Sequence, residues 1–503
     1  MNRPWWETRP FVAAMILLSA VPLLYPTVPP LVDLLGHMGR YRVQLDVDTS
    51  PWLARYYGFA WQAIGNLGVD LLVVPLSKLF GLEPAVKLIV LAIPPMTVAG
   101  FLWVAREVHG RLPPTALFAL PFAFSHPFMF GFVNYALSIA LAFLAFGLWL
   151  RLARLGWLKL RAILFVPISF ILFFAHTFGW GMLGLMAFSA EAVRQHDRGI
   201  GWLKAGFKAA AHAIVMAVPV LVIVNWRGKV QGPLMHDWFD PQLKLEALAS
   251  VFRDRWLAFD FVAMLAVVAV IGYAIANRRL TLSRNLAFSA LVLAAMFLIL
   301  PGMLFGSAFA DMRLVPYMFA VALLAIRFRG ETHLDTARTL AVLGLGFLLA
   351  RTIGTTTSFA LAANDQNAKL EALDHVPMGA RVASFAGRGC GLQWSLQRNA
   401  HLGSMVITRR HGFSNGQWVI AGTNLLTLRY REPGIFAADP SQIVRPTGCK
   451  SRGWWIDRAL RRLPREHFDY VWLIDPPPFD PKLVEGLHPV WRGPDSVLYQ
   501  VRP

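Results

Sequence analysis

The chain has 503 residues, of which 56% are hydrophobic and only 15% charged, with a formal net charge of +19 and a mean hydropathy of +0.49. A soluble domain carries about 25% charged residues, so an ordinary soluble globular protein is excluded. The cations fall between apolar blocks, which argues for membrane topology and anionic lipid contact and against a nucleic-acid partner.

In chain order, Arg3 and Arg9 flank a first apolar block at 11–28. No small-residue cleavage site follows it, and Pro22, Pro26, Pro29 and Pro30 lead into a polar loop. We read this block as an uncleaved first span. Further blocks nearly free of charge lie at 84–105, 133–150, 261–277, 286–306 and 339–350. A helix crossing a bilayer needs roughly 20 such residues, and helices satisfy their own backbone in lipid.

The first loop contains LVDLLGHMGRYRVQ. Pro29 and Pro30 can start a short helix there, with Asp33, His37 and Arg40 on one face by i, i+4, i+7 spacing. Gly36 and Gly39 weaken that helix, so another contact, such as the membrane surface, must hold it. A carboxylate in an apolar cleft has a raised pKa and makes a usable general base. Segment 61–81 carries Asn66, Asp70, Pro75 and Lys78, so we expect an interfacial or re-entrant helix and no full crossing.

Five basic clusters then follow: Arg106/Arg111, Arg151/Arg154/Lys159/Arg161, Arg194/Arg198/Lys204/Lys208, Arg278/Arg279/Arg284 and Arg327/Arg329/Arg338. Placing all five in the cytoplasm gives about eleven spans. These fall at 10–28, 84–105, 113–130, 133–150, 162–177, 178–192, 209–225, 258–277, 285–306, 313–328 and 339–360. The N-terminus is then inside and the C-terminal region outside. External loop 226–257 holds Arg227, Lys229, Lys244, Arg253 and Arg255, diluted by Asp237, Asp240, Glu246 and Asp254.

This topology gathers polar residues at one membrane surface. Asp33, His37 and Arg40 lie in the first external loop, and His126 and Asn134 flank the turn in SHPFMFGFVNY. His176 closes the fifth span, His236 and Asp237 lie in the large external loop, and Asp311 and Arg313 begin the tenth span in FADMRLVPYMF. Ionisable groups at membrane depth are functional candidates. Each also has a plainer reading. His126 before Pro127 can shape a turn, His176 can be a satisfied core histidine, and Arg313 can snorkel to headgroups.

After residue 363 the composition changes. NDQNAKLEALDHVPMGARVASF reads as a helix, a turn at Pro377–Gly379 and a strand. FDYVWLID (468–475) reads as a buried strand and SVLYQV (496–501) as a last strand. The expected organisation is a transmembrane domain at 1–362, including first loop 29–83 and loop 226–257, and an extracytoplasmic α/β domain at 363–503. Both cysteines, Cys390 and Cys449, fall in that domain, which suggests a disulfide.

This layout resembles the bacterial type C glycosyltransferase superfamily, which includes protein O-mannosyltransferases and lipid A aminoarabinose transferases. The resemblance rests on the acid in the long first loop, the external Arg-x-x-Pro of MRLVP, and the terminal α/β domain. An uncharacterised branch with Asp-x-x-x-His in that loop and a Gly-Phe-x-Asn turn fits best, here Asp33/His37 and Gly131–Asn134. The resemblance implies an α-helical polytopic fold in a bacterial cytoplasmic membrane. It implies a sugar donor on polyprenyl phosphate and a glycan, lipid or protein acceptor. Asp33 would deprotonate or orient the acceptor, and Arg313 would pair with the lipid phosphate. Many relatives have two adjacent acids in the first loop, whereas Leu34 follows Asp33 here. One Asp and one His are a weak signature for a divalent metal, and no other cofactor is indicated. The sequence has no Gly-rich phosphate loop and no Cys-x-x-Cys site. The competing classes are a transporter or flippase and a non-catalytic envelope scaffold. We see no inverted repeat and no charge mid-span to favour transport.

Overall fold

The computed structural model describes residues 4–226, 235–304, 307–330, 334–391, 393–420, 424–450 and 453–501. Arg3, Arg227 and Lys229 lie outside the described residues. The chain divides into two compact units, one of 1–25, 63–69 and 88–357, the other of 26–62, 70–87 and 358–503.

The fold is mainly helical, with a β-rich C-terminal region. Among the described residues, five helices are long and apolar enough to cross a membrane: Leu82–His109, Val133–Arg154, Leu158–Ala175, Leu257–Ala276 and Leu334–His375. Three more apolar stretches, Arg9–Leu23, Arg284–Ile299 and Val315–Ala325, are shorter. The crossings read from the sequence therefore do not all appear as single long helices. Proline explains several differences, because it removes a backbone donor and clashes with the preceding turn. In place of a span at 113–130 there is a 3-10 helix, Pro114–Phe124, with all eleven residues buried, followed by the short helix His126–Met129. Pro121 lies inside the first and Pro127 opens the second. The expected span at 209–225 is broken into Trp202–Ala213, a 3-10 turn Ile214–Met216 and Val220–Trp226, with Pro219 at the break. Helix Gly68–Phe80 has 13 residues, about 20 Å, too short to cross a hydrocarbon core of about 30 Å by itself.

Two charge assignments change inside the first unit. Arg161, read as a topology cation, is buried with Nη1 3.1 Å from Glu191 Oε2 and its guanidinium 3.8 Å above the Trp149 ring. Glu191 also accepts from Arg194 and Gln195. Hydrogen bonding to one carboxylate offsets the desolvation cost of burying Arg161. Mid-helix charge is also present. Arg351 in helix Leu334–Leu370 donates to Asp260 Oδ1 at 2.7 Å and to Phe252 O at 3.1 Å, and both members of the ion pair are buried. This pair ties two apolar helices together with its hydrogen bonds satisfied, so it serves packing.

The second unit is built on a seven-stranded sheet. Its order is Trp454–Trp455, Ile443–Arg445, Arg381–Gly387, Tyr470–Ile474, Ser496–Gln500 and His488–Gly493, with Phe413–Ser414 pairing Arg381–Gly387. The first four run parallel, and Ser496–Gln500 pairs antiparallel with both Tyr470–Ile474 and His488–Gly493. The segment YVWLI is buried at all five positions, as a central parallel strand requires. First-loop residues share this core: Val43, Val47, Leu53, Tyr56 and Tyr57 cluster with Phe385, Phe413, Phe436 and Leu473. Strand Tyr57–Phe59 pairs antiparallel with Leu426–Leu428. Cys390 and Cys449 form a disulfide with Cα atoms 5.6 Å apart.

Candidate functional site

Asp33 occupies the N-cap position of helix Leu34–Asp46. The helix sits where Gly36 and Gly39 allow close approach. A Cβ on Gly36 would lie 2.5 Å from the Trp418 ring, and one on Gly39 2.4 Å from Gln417 Nε2. Gln417 Nε2 donates to Gly36 O at 2.8 Å and Arg42 Nε to Thr408 O at 3.0 Å. The contact that holds this helix is protein packing against Trp418, Gln417 and Thr408.

The three first-loop candidates part company. Arg40 is buried and forks onto both oxygens of Asp70, while Gln44 donates to Asp70 O at 2.8 Å. That guanidinium is committed to a structural pair. Asp33 and His37 instead meet residues from far along the chain. Asp33 Oδ1 lies 3.8 Å from His401 Nε2. The Trp418 ring packs against His401 at 4.3 Å and against His37 at 5.1 Å between centroids. Burial pushes His37 well below its ordinary pKa, helped by Arg40 and His401, and burial also lowers His401. Both rings are therefore neutral near pH 7. The sequence offered no sign of His401 or Trp418, because neither lies in a recognisable motif.

A second cluster belongs to the first unit. Arg313 precedes helix Val315–Ala325 and is 5% exposed. Its guanidinium lies over Phe132 at 4.3 Å, Phe178 at 5.2 Å and Tyr135 at 5.5 Å, and Nη2 donates to Ala308 O at 3.1 Å. The Tyr135 hydroxyl donates to Arg313 O. Nη1 lies 3.2 Å from His176 Nε2.

The proton on His176 can be assigned. His176 caps helix Thr177–His196, and its Nδ1 accepts the Phe178 amide at 3.1 Å. That amide hydrogen has a fixed direction, so Nδ1 needs a lone pair and the ring proton sits on Nε2. Nε2–H and the Arg313 fork are then two donors side by side. An anionic oxygen within reach of both would accept from both. Phe132, Tyr135 and Phe178 were missed in the sequence, where they read as ordinary apolar positions.

The other candidates have separate surroundings. Asn134 is a backbone clamp: Oδ1 accepts Val69 N at 2.6 Å, and Nδ2 donates to Asn66 O at 3.0 Å. Asp311 Oδ2 is 2.7 Å from Lys244 Nζ, which also donates to Phe297 O and Leu300 O. Lys244, read as a charge of the external loop, is thus buried as the partner of Asp311. His126 is 4% exposed, and its amide donates to Val251 O at 2.9 Å. His236 and Asp237 pair with each other at 2.6 Å, both exposed. Among the described residues, no group of three or more His, Cys, Asp or Glu is placed to hold a metal ion.

No family model matches the chain, and no curated protein matches it. Among solved structures, the chain is similar to the crystal structure of ArnT from Cupriavidus metallidurans bound to undecaprenyl phosphate, with 12% identity, 97% of each chain covered and a TM-score of 0.47.

Proposed function

We propose that this protein is an integral-membrane glycosyltransferase that moves a sugar from a polyprenyl-phosphate donor to an extracytoplasmic cell-envelope acceptor. The observation that carries this reading is the paired donors of Arg313 and His176 within an aromatic wall. A phosphate monoester leaving group bears charge that such donors stabilise as it departs. The apolar helices of the unit that holds Arg313 suit a donor whose tail is hydrocarbon. Asp33 is the base that takes the acceptor's proton, in line with the sequence resemblance. The Cys390–Cys449 bridge supports an oxidising, extracytoplasmic setting for the sheet domain.

The test compares envelope glycans and glycolipids, by mass spectrometry, in cells with and without the protein. Purified protein in proteoliposomes is then given polyprenyl phosphate carrying a radiolabelled sugar. We expect one glycosylated envelope component to disappear in cells lacking the protein, and label to reach that component in vitro. An unchanged envelope, together with no binding of polyprenyl phosphate, would defeat the proposal.

A further inference from the structure

We infer that His401 is the proton partner of Asp33: it positions the carboxylate and supplies the second acceptor on which an abstracted proton settles. The inference deepens the proposed reaction and rests on that reading of Asp33.

The ring orientation comes first. His401 Nδ1 lies 3.3 Å from Gly416 O. A carbonyl oxygen only accepts, so Nδ1 carries the hydrogen and Nε2 turns a lone pair toward Asp33 Oδ1, 3.8 Å away. The ring is also fixed. It is 6% exposed and packs on Trp418, whose own ring fills the space over Gly36. A carboxylate and an imidazole lone pair 3.8 Å apart are two acceptors beyond hydrogen-bond distance, and a proton arriving on Asp33 supplies the donor that draws them together. The charged and titratable groups that act here are His37 from the first loop, itself influenced by Arg40, and Asp439, which acts on His401. Burial outweighs Asp439 and keeps His401 neutral and ready to accept.

In the step itself, the acceptor oxygen forms a bond to the anomeric carbon of the sugar. The bond from that carbon to the phosphate oxygen breaks, and its electron pair leaves with polyprenyl phosphate. The acceptor's proton goes to Asp33 and is shared with His401 Nε2. His401 is accordingly a positioning residue: it acts through Asp33 and touches neither the sugar nor the phosphate.

The experiment uses full-length protein labelled with ¹⁵N-histidine in lipid bilayers, followed by solid-state NMR while the pH is lowered from about 8. His401→Asn identifies the signal among the 13 histidines and keeps a donor toward Gly416 O. An unchanged thermal melt checks folding, and His401→Gln serves if His401→Asn fails it. We expect an Nδ1–H tautomer. In Asp33→Asn the His401 proton affinity should fall about tenfold or more, which is one pH unit in its titration. A proton on Nε2 in the wild type, or an unmoved titration in Asp33→Asn, would overturn the inference. The transfer assay separates the two failures. Asp33→Asn should be inactive, and His401→Asn should lose at least tenfold in kcat with a displaced acid limb, less than the 10²–10⁴-fold typical of losing a base. An inactive Asp33→Asn beside a His401→Asn with wild-type rate and pH profile removes the partner and leaves the base. Full transfer by Asp33→Asn removes both.

Discussion

Arg313 Nη1 and His176 Nε2 stand 3.2 Å apart, and the amide of Phe178 fixes the histidine proton on Nε2, so that two donors converge. Two consequences for ligand binding follow from this convergence. His176→Asn retains an acceptor for the cap and loses the Nε2 donor. Arg313→Lys retains the charge and loses the planar fork. A hydrogen bond to a charged group contributes about 1.5–3 kcal/mol. Each change should therefore weaken binding of polyprenyl phosphate by roughly tenfold to a hundredfold, measured by native mass spectrometry or titration in detergent. Equal binding by both variants would place the phosphate elsewhere.

The Arg40–Asp70 pair should behave as a buried structural pair. Asp70 and Arg40 are 0% and 3% exposed by side chain. Asp70→Asn or Arg40→Met leaves one charge buried and uncompensated, at a cost of about 3–5 kcal/mol. Replacing both by apolar residues should recover most of that loss in denaturant unfolding. Additive losses in the double variant would contradict the pairing.

Stability should also depend on His37. Its folded pKa lies well below the ordinary histidine value because of burial, with Arg40 and His401 acting in the same direction. Above about pH 6.5 both folded and unfolded forms are neutral, so the group contributes no pH dependence there. Below that value the unfolded chain gains a proton that the folded chain refuses. Stability then falls by up to about 1.4 kcal/mol per pH unit for this residue. His37→Phe keeps a ring against Trp418 and should flatten the slope between about pH 6.5 and pH 5. A slope identical to wild type would show that His37 titrates normally.

The disulfide closes a segment with a sequence separation of 59. A loop of that size corresponds to about 4 kcal/mol in the chain-entropy treatment. Cys390→Ser should destabilise the sheet domain by an amount of that order. Thiol reagents should label Cys390 and Cys449 only after reduction, and labelling of the untreated protein would exclude the bridge.

Reporter fusions test the sidedness on which the proposed reaction depends. Fusions at Gly156, Arg198, Arg279 and Gly330 should report cytoplasm, and fusions at Asp240 and after Ala363 the outside. The reasoning is the distribution of Lys and Arg in the short loops. A cytoplasmic signal after Ala363 would move the sheet domain, and Asp33 chemistry with it, to the wrong compartment.

The sequence by itself determined the helical membrane character and three of the seven strands of the terminal sheet, those at Arg381–Gly387, Tyr470–Ile474 and Ser496–Gln500. Both follow from one-body patterns: long apolar runs, and β-branched or aromatic segments such as YVWLI, whose burial is written in their own composition. It also marked Asp33, His37, His176 and Arg313 as unusual by type and place. Partnership was settled only in the folded molecule. Arg40 and His37 have the same helical spacing from their neighbours, yet Arg40 turns to Asp70 and His37 to Trp418. Gly36 and Gly39 read as weak points until Trp418 and Gln417 are seen against them. His401, Phe132, Tyr135 and Phe178 carry no local signal, since a polar or aromatic residue becomes part of a site only through what packs against it. Those contacts join segments distant in the chain, and their energies depend on shape and desolvation that periodicity does not encode.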